Sequence, residues 1–219
     1  HKAGLKAVMS TIEGCLKMGV QWLSLFAFST ENFQRPPEEV NQLFNLFVTK
    51  AQEEVDNLKK NGIRVFFLGD TGKLPSAVIN TIKFIENETE KGESLNVVVC
   101  LNYSGRWDII AGVRSVLYRI KQDIEKEKDS SSKLLDSWIS IMDADFFRRF
   151  MPGGWIPDPD IFIRTSGELR ISNYFLFQIA YTELFFTKVL WPDFRKEHLY
   201  EIVLEYQRRE RRFGKVLNK

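Results

Sequence analysis

Two arginines six positions apart, Arg164 and Arg170, flank the turn composition Thr165-Ser166-Gly167, and Ser172-Asn173 follow at once. A guanidinium presents a planar fork of N–H donors that matches phosphate oxygens, so such a pair suits a diphosphate. Ser172-Asn173 is predicted to cap a helix over "YFLFQ". A helix N-terminus would add free amide N–H groups for the same anion. The plainer alternative is a surface turn in which Glu168 pairs with a nearby arginine; the residues alone leave both open. A second polar group, "FSTENFQR" at residues 28–35, follows an apolar run. Its Ser29, Thr30 and Asn32 could meet a ligand or serve only their own backbone. Glu183, inside "AYTELFF", is read as a metal ligand or as the partner of a core arginine, because an unpaired buried carboxylate is costly. The basic run Arg208 to Arg212 reads as a solvated face.

Familiar alternatives fail. "GDTGK" at residues 69–73 lacks the spacing of a P-loop, no G-x-G-x-x-G follows a strand, and no Asp-Asp-x-x-Asp box is present. His1 and His198 are the only histidines, too few for a histidine metal site, and no nucleophile elbow supports a Ser-His-Asp triad. A net charge of +2 gives no global reason to expect nucleic acid, and the basic tail has no aromatic platform beside it. No apolar stretch reaches the ~18 residues needed to cross a bilayer. Cys15 and Cys100 lie in separate apolar segments, the pattern of a reduced intracellular protein without zinc spacing.

The elements that position these residues follow from periodicity. At 219 residues, with 44% hydrophobic and 27% charged, the chain is read as one domain with a substantial core. Its 18 phenylalanines imply a bulky interior or an apolar lining. A first helix ends near Gly19, and "WLSLFAFS" is a strand covered on both faces. Val40, Phe44, Phe47, Ala51, Val55 and Leu58 trace a long helix between Pro36-Pro37 and Asn61-Gly62. "IRVFFLG" and "LNVVVCLN" are strands, with a helix from about Pro75 to Lys91 between them. A helix follows "NYSGRWD", "KEKDSSSK" is a solvated loop, and a less regular stretch leads through "MPGGWIPDPD" to the strand Asp160 to Ile163. A final arginine-rich helix spans Arg195 to Gly214. Strands alternating with helices predict an α/β fold with a mainly parallel central sheet. Ligands in such folds sit beyond the carboxyl ends of the strands, where three polar clusters converge: residues 29–35, 102–108 and 164–172.

Taken together, "HKAG" at His1, "FAFSTENFQRPPEEV", "NYSGRWDI", "PDPDIFIRTSGELRISNYFLFQIAYTELFF", "WPDF" and "RRERRFG" closely resemble the cis-prenyltransferases, in family order from residue 1 to 214. The resemblance implies a single domain with a hydrophobic tunnel between helices and sheet. It also implies Mg2+-dependent condensation of isopentenyl diphosphate with an allylic diphosphate. It places Arg164, Arg170, Ile171 and Ser172 at the isopentenyl diphosphate and makes Glu183 a magnesium ligand. Ser29, Asn32 and Arg35, with His1, fall around the reacting diphosphates, and Asn32 assists proton removal. Thr30, Glu31 and Phe33 are their neighbours. Arg212 and Gly214 match an Arg-x-Gly element that completes a site across a homodimer interface. Peripheral membrane association for a lipid product is implied as well.

Several positions depart from the pattern. The family's aspartate-bearing Met-Asp-Gly-Asn-x-Arg-Trp loop would lie upstream of His1, and a segment is expected to precede the sequence. Any targeting signal would lie there. Leu169 stands where some members have a histidine, Phe33 and Phe177 replace tryptophans, and Ser104 replaces a glycine. Short-chain or irregular coupling of dimethylallyl diphosphate units, or a role as a non-catalytic partner subunit, are the alternatives. Phe44 and Phe47 are expected to block a tunnel and shorten products.

Overall fold

Apolar runs are strands and amphipathic runs are helices along most of the chain. In order these are α1 (Lys2–Met18), β1 (Trp22–Ser29), α2 (Pro37–Lys60), β2 (Ile63–Leu68), α3 (Ser76–Glu88), β3 (Leu95–Tyr103), α4 (Gly105–Lys126), α5 (Ser131–Ile141), α6 (Ala144–Arg148), β4 (Ile161–Arg164), β5 (Glu183–Phe186) and α7 (Lys196–Arg208). The structure, a computed structural model, describes residues 2–126 and 131–210. Internal contacts group the chain into a larger unit, residues 22–158 and 172–180, and a smaller one, residues 1–21, 159–171 and 181–219.

The larger unit is built on a parallel sheet in the order β1-β3-β2, with Ser24 and Phe66 both opposite Val98 of the central strand. One face carries Phe28 and Leu101 against Val40 and Phe44 of α2 and Val78 and Ile82 of α3. The other carries Leu68, Val98, Cys100 and Tyr103 against Ile156 and Phe175. Burial on both faces is why "WLSLFAFS" and "LNVVVCLN" are nearly continuous apolar runs. Pro37 opens α2, where a missing N–H costs nothing. Gly62 follows its end at φ 66, a left-handed conformation that glycine adopts without strain. Near its carboxyl end β1 bulges: Phe26 pairs with Cys100 but Phe28 pairs with Leu101. A bulge of this kind bends the strand and re-aims the residues beyond it, here Ser29.

Asp108, in the first turn of α4, is wholly buried. It accepts hydrogen bonds from the Tyr103 hydroxyl (3.1 Å), the Gly153 amide (2.8 Å) and Gln178 Nε2 (2.9 Å). A buried carboxylate is tolerable only when held in this way. A Cβ at Gly153 would lie 2.6 Å from Asp108 Oδ2, so the turn there requires glycine. Burial first, and the Asp108 charge second, push the Tyr103 hydroxyl well above its usual pKa, which keeps it a donor.

In the smaller unit β4 and β5 pair in parallel, from Ile161 opposite Glu183 to Arg164 opposite Phe186. Helices α1 and α7 approach closely at Gly14, where a Cβ would lie 2.9 Å from Lys196 Cβ. Burial pushes the thiols of Cys15 and, in the larger unit, Cys100 up to about 12, so neither is a nucleophile at neutral pH. Among the described residues no helix is long and apolar enough to cross a membrane.

Four expectations need correction. Ser172-Asn173 does not cap a helix over "YFLFQ"; the segment is a series of turns. Ser172, Asn173 and Phe175 have φ of 50, 61 and 46, and left-handed residues cannot propagate a right-handed helix. "KEKDSSSK" is not simply a loop, because Lys126 ends α4 and residues 131–133 begin α5; residues 127–130 lie outside the described part. The less regular stretch contains α5 and α6, and "ELFF" is the strand β5, too short for its alternation to show. The last helix ends at Arg208, and residues 211–214 lie outside the described part.

Asp108→Ala would strand three donors at about 1–3 kcal/mol each, so a loss of more than about 3 kcal/mol is expected from urea unfolding at neutral pH. A loss below about 1 kcal/mol would contradict the account of this carboxylate.

Candidate functional site

In the smaller unit, Arg164 is the last residue of β4. Its carbonyl accepts from the Thr187 amide at 2.9 Å, and Ser166 and Gly167 then turn the chain at φ 69 and 71. Arg164 is half-buried, and its Nε is sealed from solvent without a hydrogen-bond partner among the described residues. Among the described residues the other buried side-chain atom in that position is Gln178 Oε1, in the larger unit. Most buried polar groups are paired, so an orphaned guanidinium N–H marks a place where an anion would be welcome.

Arg170 lies differently. It is exposed and forms an ion pair with Glu168, the arrangement of the plainer surface-turn alternative. Exposed pairs of this sort contribute little, so Arg170 can leave Glu168 for a better anion at small cost. Ile171 is half-buried, and Leu169 is 78% exposed and offers no donor to a metal.

Glu183 opens β5, and its Oε2 accepts from Arg209 Nη1 at 2.8 Å. Arg209 also donates to Glu205 at 2.6 Å and lies 3.9 Å above the Phe185 ring. The hydrogen bond to Glu183 first, and that to Glu205 second, raise the Arg209 pKa. Arg209 is therefore no member of a purely solvated basic face: it is half-buried against an aromatic ring between two carboxylates. Among the described residues no three His, Cys, Asp or Glu side chains gather at one point. Glu183 thus fits Mg2+ only as a single carboxylate ligand, a situation Mg2+ accepts when waters and substrate phosphates complete its shell.

In the larger unit, the residues after β1 form a 3-10 turn, Thr30–Gln34. The Ser29 amide donates to Asn32 Oδ1 at 2.9 Å, and the Arg35 amide to the Asn32 carbonyl at 3.1 Å. Thr30 donates to Glu31 at 3.1 Å and Arg35 to Glu39 at 3.0 Å. Phe33 sits edge-on to Phe28 at 5.0 Å, which roots an otherwise exposed turn in the core. Partial burial of Glu31 opposes its ionisation, but hydrogen bonds from Asn173, its own backbone, Ser29 and Thr30 together hold its carboxyl below the usual value. Ser172 is half-buried in the adjoining turns, and Ser104 Oγ accepts from the Trp107 amide at 3.2 Å, a helix-capping role for α4.

His1, Arg212 and Gly214 lie outside the described residues. The turn residues 29–35 come together as one group, and Arg164, Arg170 and Ile171 belong to the smaller unit with Glu183. Sequence reasoning missed Arg209 as the partner of Glu183, since a run of arginines looks solvated whichever member turns inward. It also missed Asn173 as the partner of Glu31, 142 residues away, because no local pattern reports so distant a contact.

Compared with known proteins, the chain matches the family described as "Putative undecaprenyl diphosphate synthase" over residues 1–214. It is 38% identical over 214 residues to dehydrodolichyl diphosphate synthase 2 of Arabidopsis thaliana, with 98% of this chain and 66% of that one covered. It is 41% identical over 219 residues to a ditrans,polycis-undecaprenyl-diphosphate synthase of Legionella pneumophila, covering 99% of this chain and 86% of the relative. Among solved structures it resembles lavandulyl diphosphate synthase from Lavandula x intermedia in complex with dimethylallyl diphosphate. There the TM-score is 0.86 at 26% identity, over 98% of this chain and 88% of that one.

A double-mutant cycle on Arg209→Ala and Glu183→Ala is expected to give a coupling of about 1 kcal/mol in thermal or urea unfolding, the upper range for a partly exposed pair. Additive effects would contradict the pairing.

Proposed function

The chain belongs to the undecaprenyl diphosphate synthase family of cis-prenyltransferases, and on that premise we propose that it condenses isopentenyl diphosphate with an allylic diphosphate. The observation that carries this reading is the sealed, unpartnered Nε of Arg164 at the carboxyl end of β4. In the reaction the allylic C–O bond breaks and diphosphate departs. The terminal alkene carbon of isopentenyl diphosphate bonds to the allylic carbon, and a proton is lost to leave a cis double bond. Arg164 and Arg170 neutralise a diphosphate and hold its chain end still, and Ile171 and Ser172, next in sequence, are candidates for the same group. Preorganised cations of this kind need no rearrangement as charge develops.

In the 29–35 turn the Asn32 side chain is fixed through its Oδ1 by the Ser29 amide. Asn32 and the Ser29 hydroxyl orient the reacting end and hold the departing proton's path, with Thr30, Glu31, Phe33 and Arg35 shaping the turn. Mg2+, when bound, would neutralise the departing diphosphate, with Glu183 as its protein carboxylate. Glu183 would then give up, or share, the oxygen it now offers to Arg209. The single-domain reading, homodimerisation through the Arg212-to-Gly214 element and peripheral membrane association for a lipid product belong to the same proposal. Nucleic acid has no part in it. Irregular coupling of two dimethylallyl diphosphates is the second reading, favoured by the fold similarity to lavandulyl diphosphate synthase.

Phe44 is 5% exposed and packs 5.1 Å from Phe28 and 6.1 Å from Phe33, while Phe47 stands edge-on to Phe67 at 5.7 Å. With these rings filling the space between α2 and the sheet, a growing hydrocarbon meets bulk early, and short products result.

Incubation of the full-length protein with Mg2+, isopentenyl diphosphate and an allylic primer is expected to give prenyl diphosphates, sized by mass. Dimethylallyl diphosphate alone distinguishes irregular coupling, and no product in either case would leave the partner-subunit role. Phe44→Ala, with Phe44→Leu as the milder variant because ring removal costs about 3–5 kcal/mol, is expected to lengthen the products. Unchanged lengths in an active variant would contradict this. Arg170→Ala is expected to weaken isopentenyl diphosphate binding at least tenfold while changing stability by less than about 0.5 kcal/mol. Equal affinity in the folded variant would remove Arg170 from the site.

A further inference from the structure

Asn173 has three hydrogen bonds that serve two different ends, all within the larger unit. Its backbone carbonyl accepts from the Gly105 amide at 2.7 Å, and its Oδ1 accepts from the Arg106 amide at 3.0 Å. These two bonds satisfy the first free amides of α4, where orphan donors need partners. The third runs the other way: Asn173 Nδ2 donates to Glu31 Oε1 at 2.8 Å. Glu31 is the second residue of the Thr30–Gln34 turn, and the same turn fixes Asn32 against the Ser29 amide.

The backbone beside this contact is left-handed: Ser172, Asn173 and Phe175 occupy φ of 50, 61 and 46, which asparagine tolerates and a bulky aromatic residue rarely adopts. Such conformations persist only where the surroundings impose them. Phe175, 2% exposed, stacks on Tyr174 at 4.5 Å and stands edge-on to Tyr103 at 5.5 Å. The buried rings hold the segment, and Asn173 is left aimed at Glu31.

We propose that Asn173 is a positioning residue that sets the Thr30–Gln34 turn through Glu31, and so the orientation of Asn32 and Ser29. This rests on the reading of that turn as part of the reacting site. Capping of α4 uses only the two oxygens of Asn173, and an aspartate would supply both while tolerating the left-handed backbone. The Nδ2 donor is superfluous to the cap and goes entirely to Glu31. Replacement by aspartate therefore separates the two roles: it keeps the cap and sets two carboxylates against each other. Adding Glu31→Gln restores the hydrogen bond with its direction reversed.

The test compares the full-length wild type with N173D, E31Q and the double variant. Melting temperature, kcat, KM and amide hydrogen exchange at residues 30–35 are measured for each. N173D is expected to keep its melting temperature within a few degrees, to exchange faster in the turn, and to lose about tenfold in kcat with a smaller change in KM. The double variant is expected to recover most of the exchange protection and to exceed the product of the single-variant kcat ratios. Wild-type exchange and kcat in N173D, or single effects that simply multiply, would overturn the proposal. A wild type without prenyltransfer activity would sink the functional reading instead, and the exchange measurements would still decide the clamp.

Discussion

A guanidinium at the end of a strand gains most when an anion meets it, and on the proposed reading that is what Arg164 offers at the end of β4. Arg164 lies in register with Phe186 of β5, one residue after Ile163 and two after the buried Phe162. Its Nε has lost water without gaining a partner among the described residues. Leaving a donor in that state costs more than an ordinary hydrogen bond returns, which is the physical basis of the proposal that an anion meets Arg164. Two other charged groups of the smaller unit are held in ways that leave them able to change partners. Arg170 is lightly tied to Glu168, and Glu183 is held by an arginine that a stronger cation could displace or join.

The larger unit answers a different constraint. A parallel sheet covered on both faces leaves its strand ends as the natural outlets for polar groups, and the bulge near the end of β1 turns Ser29 and its successors out of the apolar layer. Asp108 and Asn173 then serve the same purpose at different depths. The first joins α4 to Gly153 and Gln178 from inside the core, and the second joins the start of α4 to the exposed turn. Phenylalanines pack between α2 and the sheet, which gives that face bulk rather than polarity. Polar groups fixed by backbone bonds thus stand beside an apolar layer, the combination on which the proposed prenyl diphosphate chemistry rests.

Much of this is legible in the sequence because it is local. The strands β1, β2 and β3 and the helix α2 announce themselves through periodicity and through the punctuation of Pro37 and Gly62. Arg164 and the polar turn after β1 stand out because arginine and asparagine are unexpected at the rim of a core strand. What the sequence did not show shares one cause. Whether Ser172-Asn173 caps a helix or turns left-handed depends on Phe175 finding Tyr103, and which arginine partners Glu183, a pairing the sequence left open beside a metal role, depends on where α7 ends. Contacts between residues far apart in sequence decide both, and neither composition nor spacing encodes them visibly.

The central claim is that the Arg164 side chain awaits a phosphate oxygen, and the Nε–Hε resonance of that arginine in 15N-labelled protein reports on it directly. On titration with inorganic pyrophosphate the account predicts a saturable downfield shift of that resonance, absent in Arg164→Lys, as the lone donor acquires an acceptor. A folded protein in which pyrophosphate leaves that resonance unmoved would contradict it.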